Sequence, residues 1–176
     1  MPVEGERTTL PTNTNRTGGH QPNAEILYEE GERTERMKEI EVTAVLDAPL
    51  AEVERRLSPE TIVEYAETYT VESVTDTGEK TVVTAVGEEI EIVLEFAERD
   101  AGYVYSQRDQ EGPFEEMRTR IMLEEIDEGT RVRVRSLFTF GGWAAFLTDW
   151  LGADVRRDEL KRLLINLARD FDAEES

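Results

Sequence analysis

The stretch Gly141–Glu175, GGWAAFLTDWLGADVRRDELKRLLINLARDFDAEE, decides the fold. Within it, Leu160, Leu163, Leu164, Leu167 and Phe171 recur at steps of three and four residues. That spacing gathers side chains on one face of an α-helix. Arg157, Lys161, Arg162, Arg169 and Asp170 fill positions between them. A second apolar group, Trp143, Phe146, Leu147, Trp150 and Leu151, lies ahead. Gly152 separates the two groups. Glycine in a helix interior costs roughly 1 kcal/mol relative to alanine, so a kink or break is expected over Gly152–Asp154. A helix this apolar on one side needs a large apolar surface to lie on. Trp143 and Trp150 each also carry an N–H that wants a partner when buried.

The middle of the chain supplies that surface. Ile40, Val42 and Ala44 alternate with Glu41, Thr43 and Val45, which reads as a half-buried first strand. Asp47-Ala48-Pro49 turns the chain into a short helix over Pro49–Leu57, with Asp47 as its expected cap. Ser58-Pro59-Glu60 repeats the start signal, and a second helix runs to about Glu67. From Tyr69 onward the pattern is antiparallel sheet. Strands are expected over Thr70–Val74 and Thr81–Val86, with a turn at Asp76-Thr77-Gly78 between them. Next, Ile90, Ile92, Leu94 and Phe96 alternate with Glu91, Val93, Glu95 and Ala97. Tyr103 and Tyr105 share one face of the following strand. Met117, Thr119, Ile121 and Leu123 alternate with Arg118, Arg120 and Glu124. Val132, Val134, Ser136, Phe138 and Phe140 alternate with Arg131, Arg133 and Arg135. Gly141-Gly142 then ends the sheet. The order is strand, two short helices, about six strands, long helix, and the long helix is the one element large enough to cover a one-sided sheet.

Composition narrows the chemistry. The 176 residues suggest one domain, expected over 37–176, after a polar, aperiodic tail over 1–36 that cannot bury enough surface to order itself. Met37 is a candidate for the true start. There is no cysteine, and His20, the one histidine, lies in that tail. Thiol chemistry, a Ser-His-Asp triad and a multi-histidine zinc site in the folded part are thereby excluded. No metal and no cofactor are expected. The net charge of −20 repels nucleic acid and anionic membranes. No apolar run is long enough to span a bilayer and no signal core is seen, so neither membrane insertion nor export is expected, and the reading is cytoplasmic. Thirty of the forty acids are glutamate and three of the twenty bases are lysine. Such a surface resembles that of proteins from salt-loving organisms, where a Debye length of about 3 Å at 1 M salt screens self-repulsion.

Several local patterns, in this order, resemble the START-like superfamily, also called SRPBCC or Bet v 1-like, and within it the polyketide cyclase/dehydrase branch. They are Ile40–Pro49, Arg99-Asp-Ala-Gly-Tyr-Val-Tyr105, Gly112-Pro-Phe114, Glu128-Gly-Thr-Arg-Val-Arg-Val134 and Phe140-Gly-Gly-Trp143. The resemblance covers about Met37 to Phe171. It departs at Glu54, where relatives often carry a large apolar residue. It implies an α+β helix-grip fold: a curved antiparallel sheet of six to seven strands wrapped around a long C-terminal helix, with two short helices after the first strand. It also implies a pocket for a lipid, quinone or polyketide-like ligand. It does not imply one reaction, because function lives in the site and not in the fold.

If the alternation holds, Ile92, Leu94, Phe96, Tyr103, Tyr105, Met117, Ile121, Val134, Phe138 and Phe140 face the helix. Trp143, Phe146 and Trp150 would lie near one end of the cavity, and Tyr65 and Tyr69 could close its mouth. A concave apolar site with a few polar groups suits a hydrophobic small molecule. The polar candidates are Tyr103, Tyr105, Gln107, Thr119 and Ser136, with Arg108 and Asp109 on a nearby loop. A filled core would use the same apolar residues. No catalytic pair stands out. The arginine stripe Arg118, Arg120, Arg131, Arg133 and Arg135 falls on the outer face with Glu91, Glu95 and Glu124, where cross-strand ion pairs are expected. Three functions fit: a binding protein for a hydrophobic small molecule, a cyclase or dehydratase, and a ligand-free interaction module. The first is preferred.

Overall fold

The computed structural model describes residues 37–88, 90–108, 112–140 and 152–174. The tail over 1–36, Asp109, Trp143, Phe146 and Trp150 lie outside the described residues. Seven strands form one curved antiparallel sheet: β1 (Lys38–Leu46), β2 (Thr70–Asp76), β3 (Thr81–Val86), β4 (Glu91–Glu98), β5 (Gly102–Gln107), β6 (Phe114–Ile126) and β7 (Gly129–Phe140). The spatial order is β1-β7-β6-β5-β4-β3-β2, so β2 to β7 form a meander and β1 closes on β7. Two short helices, α1 (Leu50–Arg56) and α2 (Pro59–Ala66), link β1 to β2. The long helix α3 (Gly152–Glu174) packs on the sheet and on α2. This is the expected α+β helix-grip architecture.

The alternation sets which face is inside. Ile92, Leu94 and Phe96 of β4, Met117 and Ile121 of β6, and Val132, Val134 and Phe138 of β7 are buried. They meet Leu160, Leu163, Leu164 and Leu167 of α3, the apolar stripe read from the sequence. On the outer face, Arg131 pairs with Glu124, Arg133 with Glu41, Arg135 with Glu39 and Arg120 with Asp100. Glu95 takes both Lys80 and Arg108. Four of the five stripe arginines, Arg120, Arg131, Arg133 and Arg135, are therefore ion-paired.

Local chemistry fixes the corners. Ser58 caps α2: its hydroxyl accepts from the Thr61 N–H, and the Thr61 hydroxyl accepts from the Ser58 N–H. Glu67 ends the helix in the left-handed region at φ 54°. At the β6–β7 turn, Gly129 has φ 123°, and a Cβ there would lie 2.2 Å from the Leu46 carbonyl oxygen. Only glycine fits so close an approach. Beside it the buried Thr130 hydroxyl donates to the Ala48 carbonyl at 2.7 Å, fixing the corner between β1 and α1.

Two local expectations need correction. Asp47 does not cap α1; Pro49 is the capping residue and no side chain bonds the helix start. Proline has no N–H to satisfy and its fixed φ starts the helix by geometry. Ile90 is not the first inward residue of β4 but is exposed in the β3–β4 turn, where its carbonyl accepts from the Gly87 N–H. The long helix is described over Gly152–Glu174, and the expected stretch ahead of it, 141–151, lies outside the described residues. At the departure from the family pattern, Glu54 points to solvent, and Val53 and Leu57 carry the packing of α1.

Candidate functional site

The inner face of the sheet carries polar residues where apolar ones would be expected. Thr119 and Ser136 are inward positions of paired strands and stand opposite each other in register. Their hydroxyls are 2.8 Å apart and both residues are fully buried. Helix α3 brings a charge to them. Arg156 is 3% exposed. Its Nη2 donates to Thr119 Oγ1 at 2.8 Å and to the Tyr105 hydroxyl at 3.2 Å, and its Nε donates to Ser136 Oγ at 3.3 Å. Its Nη1 donates to Glu159 Oε1 at 2.7 Å, and Glu159 is itself 8% exposed. The guanidinium also lies 5.6 Å from the centroid of the Phe114 ring.

Burial by itself would lower the Arg156 pKa. The Glu159 carboxylate and the Tyr105 hydroxyl outweigh it, so the guanidinium stays charged, with its pKa above the ordinary value. The pair is formally neutral, and the hydroxyls of Tyr105, Thr119 and Ser136 all accept from its guanidinium.

Apolar side chains border this polar floor. Ile62, Val63 and Ala66 of α2, Ile92 and Leu94 of β4, Tyr69, Tyr105 and Met117 enclose a space with Arg156 and Glu159. The space measures about 10 Å³, which holds about one water molecule. Tyr69 stands between it and an open groove of about 410 Å³ along Glu64, Glu67, Thr68, Thr70 and Val71. The Tyr69 ring rests against Gly87, where an added Cβ would come within 3.3 Å of it. Burial pushes the Tyr69 pKa up to about 12; the nearby Glu159 charge adds to the rise and Arg156 opposes it. Among the described residues the Tyr69 hydroxyl makes no hydrogen bond.

The residues expected to bind ligand are thus partly gathered. Tyr69, Leu94, Tyr105 and Met117 line the space. Phe96 lies directly behind it, stacked on Tyr105 with ring centroids 4.6 Å apart. Ile121 is buried in the core on β6, paired with Val134. Phe138 and Phe140 form an aromatic cluster with Phe114 at the end of the sheet. Tyr103 is elsewhere: its hydroxyl donates to the Leu57 carbonyl at 3.3 Å and it lines a separate surface groove with Glu54 and Asp100. Tyr65 faces α3, where its hydroxyl donates to Asp170 and its carbonyl accepts from Asn166 Nδ2. Burial, then Asp170, pushes its pKa up to about 12. Gln107 ties the β5–β6 connection by donating to the Phe114 carbonyl at 2.9 Å. Trp143, Phe146 and Trp150 lie outside the described residues.

Sequence reasoning passed over Arg156 and Glu159. The signal was present, since Arg156 precedes Leu160 by four residues and Glu159 precedes Leu163 by four. Both continue the buried stripe of α3, so both are charges at core-facing positions.

No family model matches the sequence, and no curated protein matches it. Solved structures do match. TTHA0849 from Thermus thermophilus is 19% identical with a TM-score of 0.62, over 79% of this chain and 100% of that one. The Zhui aromatase/cyclase from Streptomyces sp. R1128 is 16% identical with a TM-score of 0.59, over 76% of this chain and 94% of that one. Ara h 8.0201 is 18% identical with a TM-score of 0.54, over 77% of this chain and 99% of that one. The chain therefore has the fold that Bet v 1-like proteins and polyketide aromatase/cyclases share.

Proposed function

We propose that the protein binds a hydrophobic small molecule between the sheet, α2 and α3, with its polar end at the Arg156 cluster. The observation that carries this reading is the buried Arg156–Glu159 pair beside an apolar wall. A buried ion pair is a poor stabiliser, because desolvating two charges offsets much of their attraction and a well-packed apolar pair often does as well. Charges placed on the core stripe of an otherwise leucine-rich helix break the packing rule, and such breaks concentrate at functional sites. In the closed form described, the space admits about one water, so a ligand enters by displacing Tyr69 and α2 from the sheet toward the outer groove. Lipids, quinones and polyketide-like molecules fit this description, as the family resemblance implies.

Two other readings have an observation behind them. The likeness to an aromatase/cyclase, with Glu159, Tyr69 and Arg156 on one space, favours a cyclase or dehydratase in which Glu159 and Tyr69 move protons beside the charged Arg156. The small volume favours a filled grip that serves as an interaction module. Native mass spectrometry of the purified protein, with organic extraction, separates binding from the filled grip. The binding reading expects one stoichiometric apolar molecule, or a rise in Tm of several degrees with added apolar probes, since a ligand that binds only the folded state stabilises it. An empty protein that no probe stabilises contradicts it.

A further inference from the structure

We infer that the grip selects neutral ligands that carry a hydroxyl group, and rejects carboxylates, because Glu159 already neutralises Arg156. This rests on the binding reading above and deepens it. A lone buried arginine would make a carboxylate site. Here its Nη1 is held by Glu159 Oε1 at 2.7 Å, and its Nη2 and Nε are spent on Thr119, Tyr105 and Ser136. The pair sums to zero charge, so a bound carboxylate would leave one uncompensated negative charge in a desolvated place beside Glu159. Burying an unpaired charge costs far more than burying a hydrogen-bonded neutral group.

The unused hydrogen-bonding capacity points the same way. Among the described residues, one oxygen of the Glu159 carboxylate is taken by Arg156, and no partner is found for its other oxygen. That second oxygen can accept from a ligand hydroxyl. Among the described residues the Tyr69 hydroxyl makes no bond, and the Tyr105 hydroxyl accepts from Arg156 and donates to none. Either can donate to the same ligand oxygen. Glu159, Tyr69 and Tyr105 all border the one space. The surrounding wall of Ile62, Val63, Ala66, Ile92, Leu94 and Met117 supplies no other polar side chain.

The test is titration calorimetry of the full chain with a matched pair, 2-naphthol and 2-naphthoate, at neutral pH. The wild type should bind 2-naphthol at least tenfold more tightly. Glu159→Gln should narrow or reverse that preference, because Arg156 becomes uncompensated and attracts the carboxylate. If Glu159→Gln does not fold, the double variant Arg156→Met/Glu159→Met serves: the acceptor is gone, so 2-naphthol should weaken at least tenfold while 2-naphthoate gains nothing. Equal or tighter wild-type binding of 2-naphthoate overturns the inference and leaves the binding reading standing. So does a preference that neither variant alters. Failure of the wild type to bind 2-naphthol also overturns the inference; the binding reading falls only if, in addition, the protein purifies empty and no apolar probe stabilises it.

Discussion

Arg156 is the residue on which the interior turns. It joins α3 to β5, β6 and β7 through Tyr105, Thr119 and Ser136. Breaking a buried pair by removing one partner typically costs about 3–5 kcal/mol, because the other charge is left uncompensated. Arg156→Met alone should therefore destabilise by roughly that amount. Arg156→Met/Glu159→Met should cost clearly less than either single change. Chemical denaturation of the three variants checks this; an additive double variant would mean that the two residues act independently. Tyr69 gives a pH prediction. Its pKa is raised from 10.0 to about 12, mainly by burial. Below pH 10 the side chain is protonated in both folded and unfolded chains, and its contribution is fully present. As pH rises from 10 toward 12, the unfolded chain releases the proton and the folded one keeps it, so stability falls, by at most about 3 kcal/mol from this group. Tyr69→Phe should lose less stability than the wild type between pH 9 and 11.

At the scale of elements, α2 and α3 do different work. The cap of α2 is a reciprocal Ser58–Thr61 pair, so Ser58→Ala should cost about 1 kcal/mol and loosen the helix that covers the site. In α3, Leu163 is fully buried, and Leu163→Ala should cost about 2–5 kcal/mol in a denaturant titration, from lost transfer energy plus a cavity. These elements were legible because their periodicities differ. Alternation over Met117–Leu123 and Val132–Phe140 reads as strand, and the Leu160–Phe171 spacing reads as helix. Ser58 was legible as a cap because serine before Pro-Glu has one common use. Asp47 misled for the same reason: an acidic residue near a proline fits the cap pattern, but the chain started the helix at Pro49. Ile90 misled because a turn can fall within an alternating run. The Arg156–Glu159 pair was hidden between visible leucines, since surface arginines and glutamates are abundant in this composition and only the helical phase tells which ones turn inward. Tyr103 and Tyr65 could not be placed by alternation alone, because their hydroxyls are bound by Leu57 and Asp170 on elements far away in sequence.

At the scale of the molecule, the charge of −20 dominates behaviour in solution. The compact chain concentrates that charge more than the unfolded one, so self-repulsion opposes folding and salt relieves it. Exposed pairs such as Arg131–Glu124 weaken in salt, but each contributes only about 0–1 kcal/mol. Tm should therefore rise from 0.1 to 2 M NaCl; a falling Tm would mean that ion pairs outweigh repulsion. No described helix is long and apolar enough to cross a membrane. The narrow space behind Tyr69 and the polar floor together lead to the central claim, that a ligand enters between α2 and the sheet and ends at Arg156. The most direct measurement is NMR with ¹³C-methyl-labelled methionine and 2-naphthol. Met117 borders the site and Met122 lies on the other face of the same strand, so the chain carries its own control. The account predicts a saturable shift of the Met117 methyl, with intermolecular contacts to the naphthol ring, and no shift at Met122. An unmoved Met117 at saturating probe, or changes confined to Met122, would contradict it.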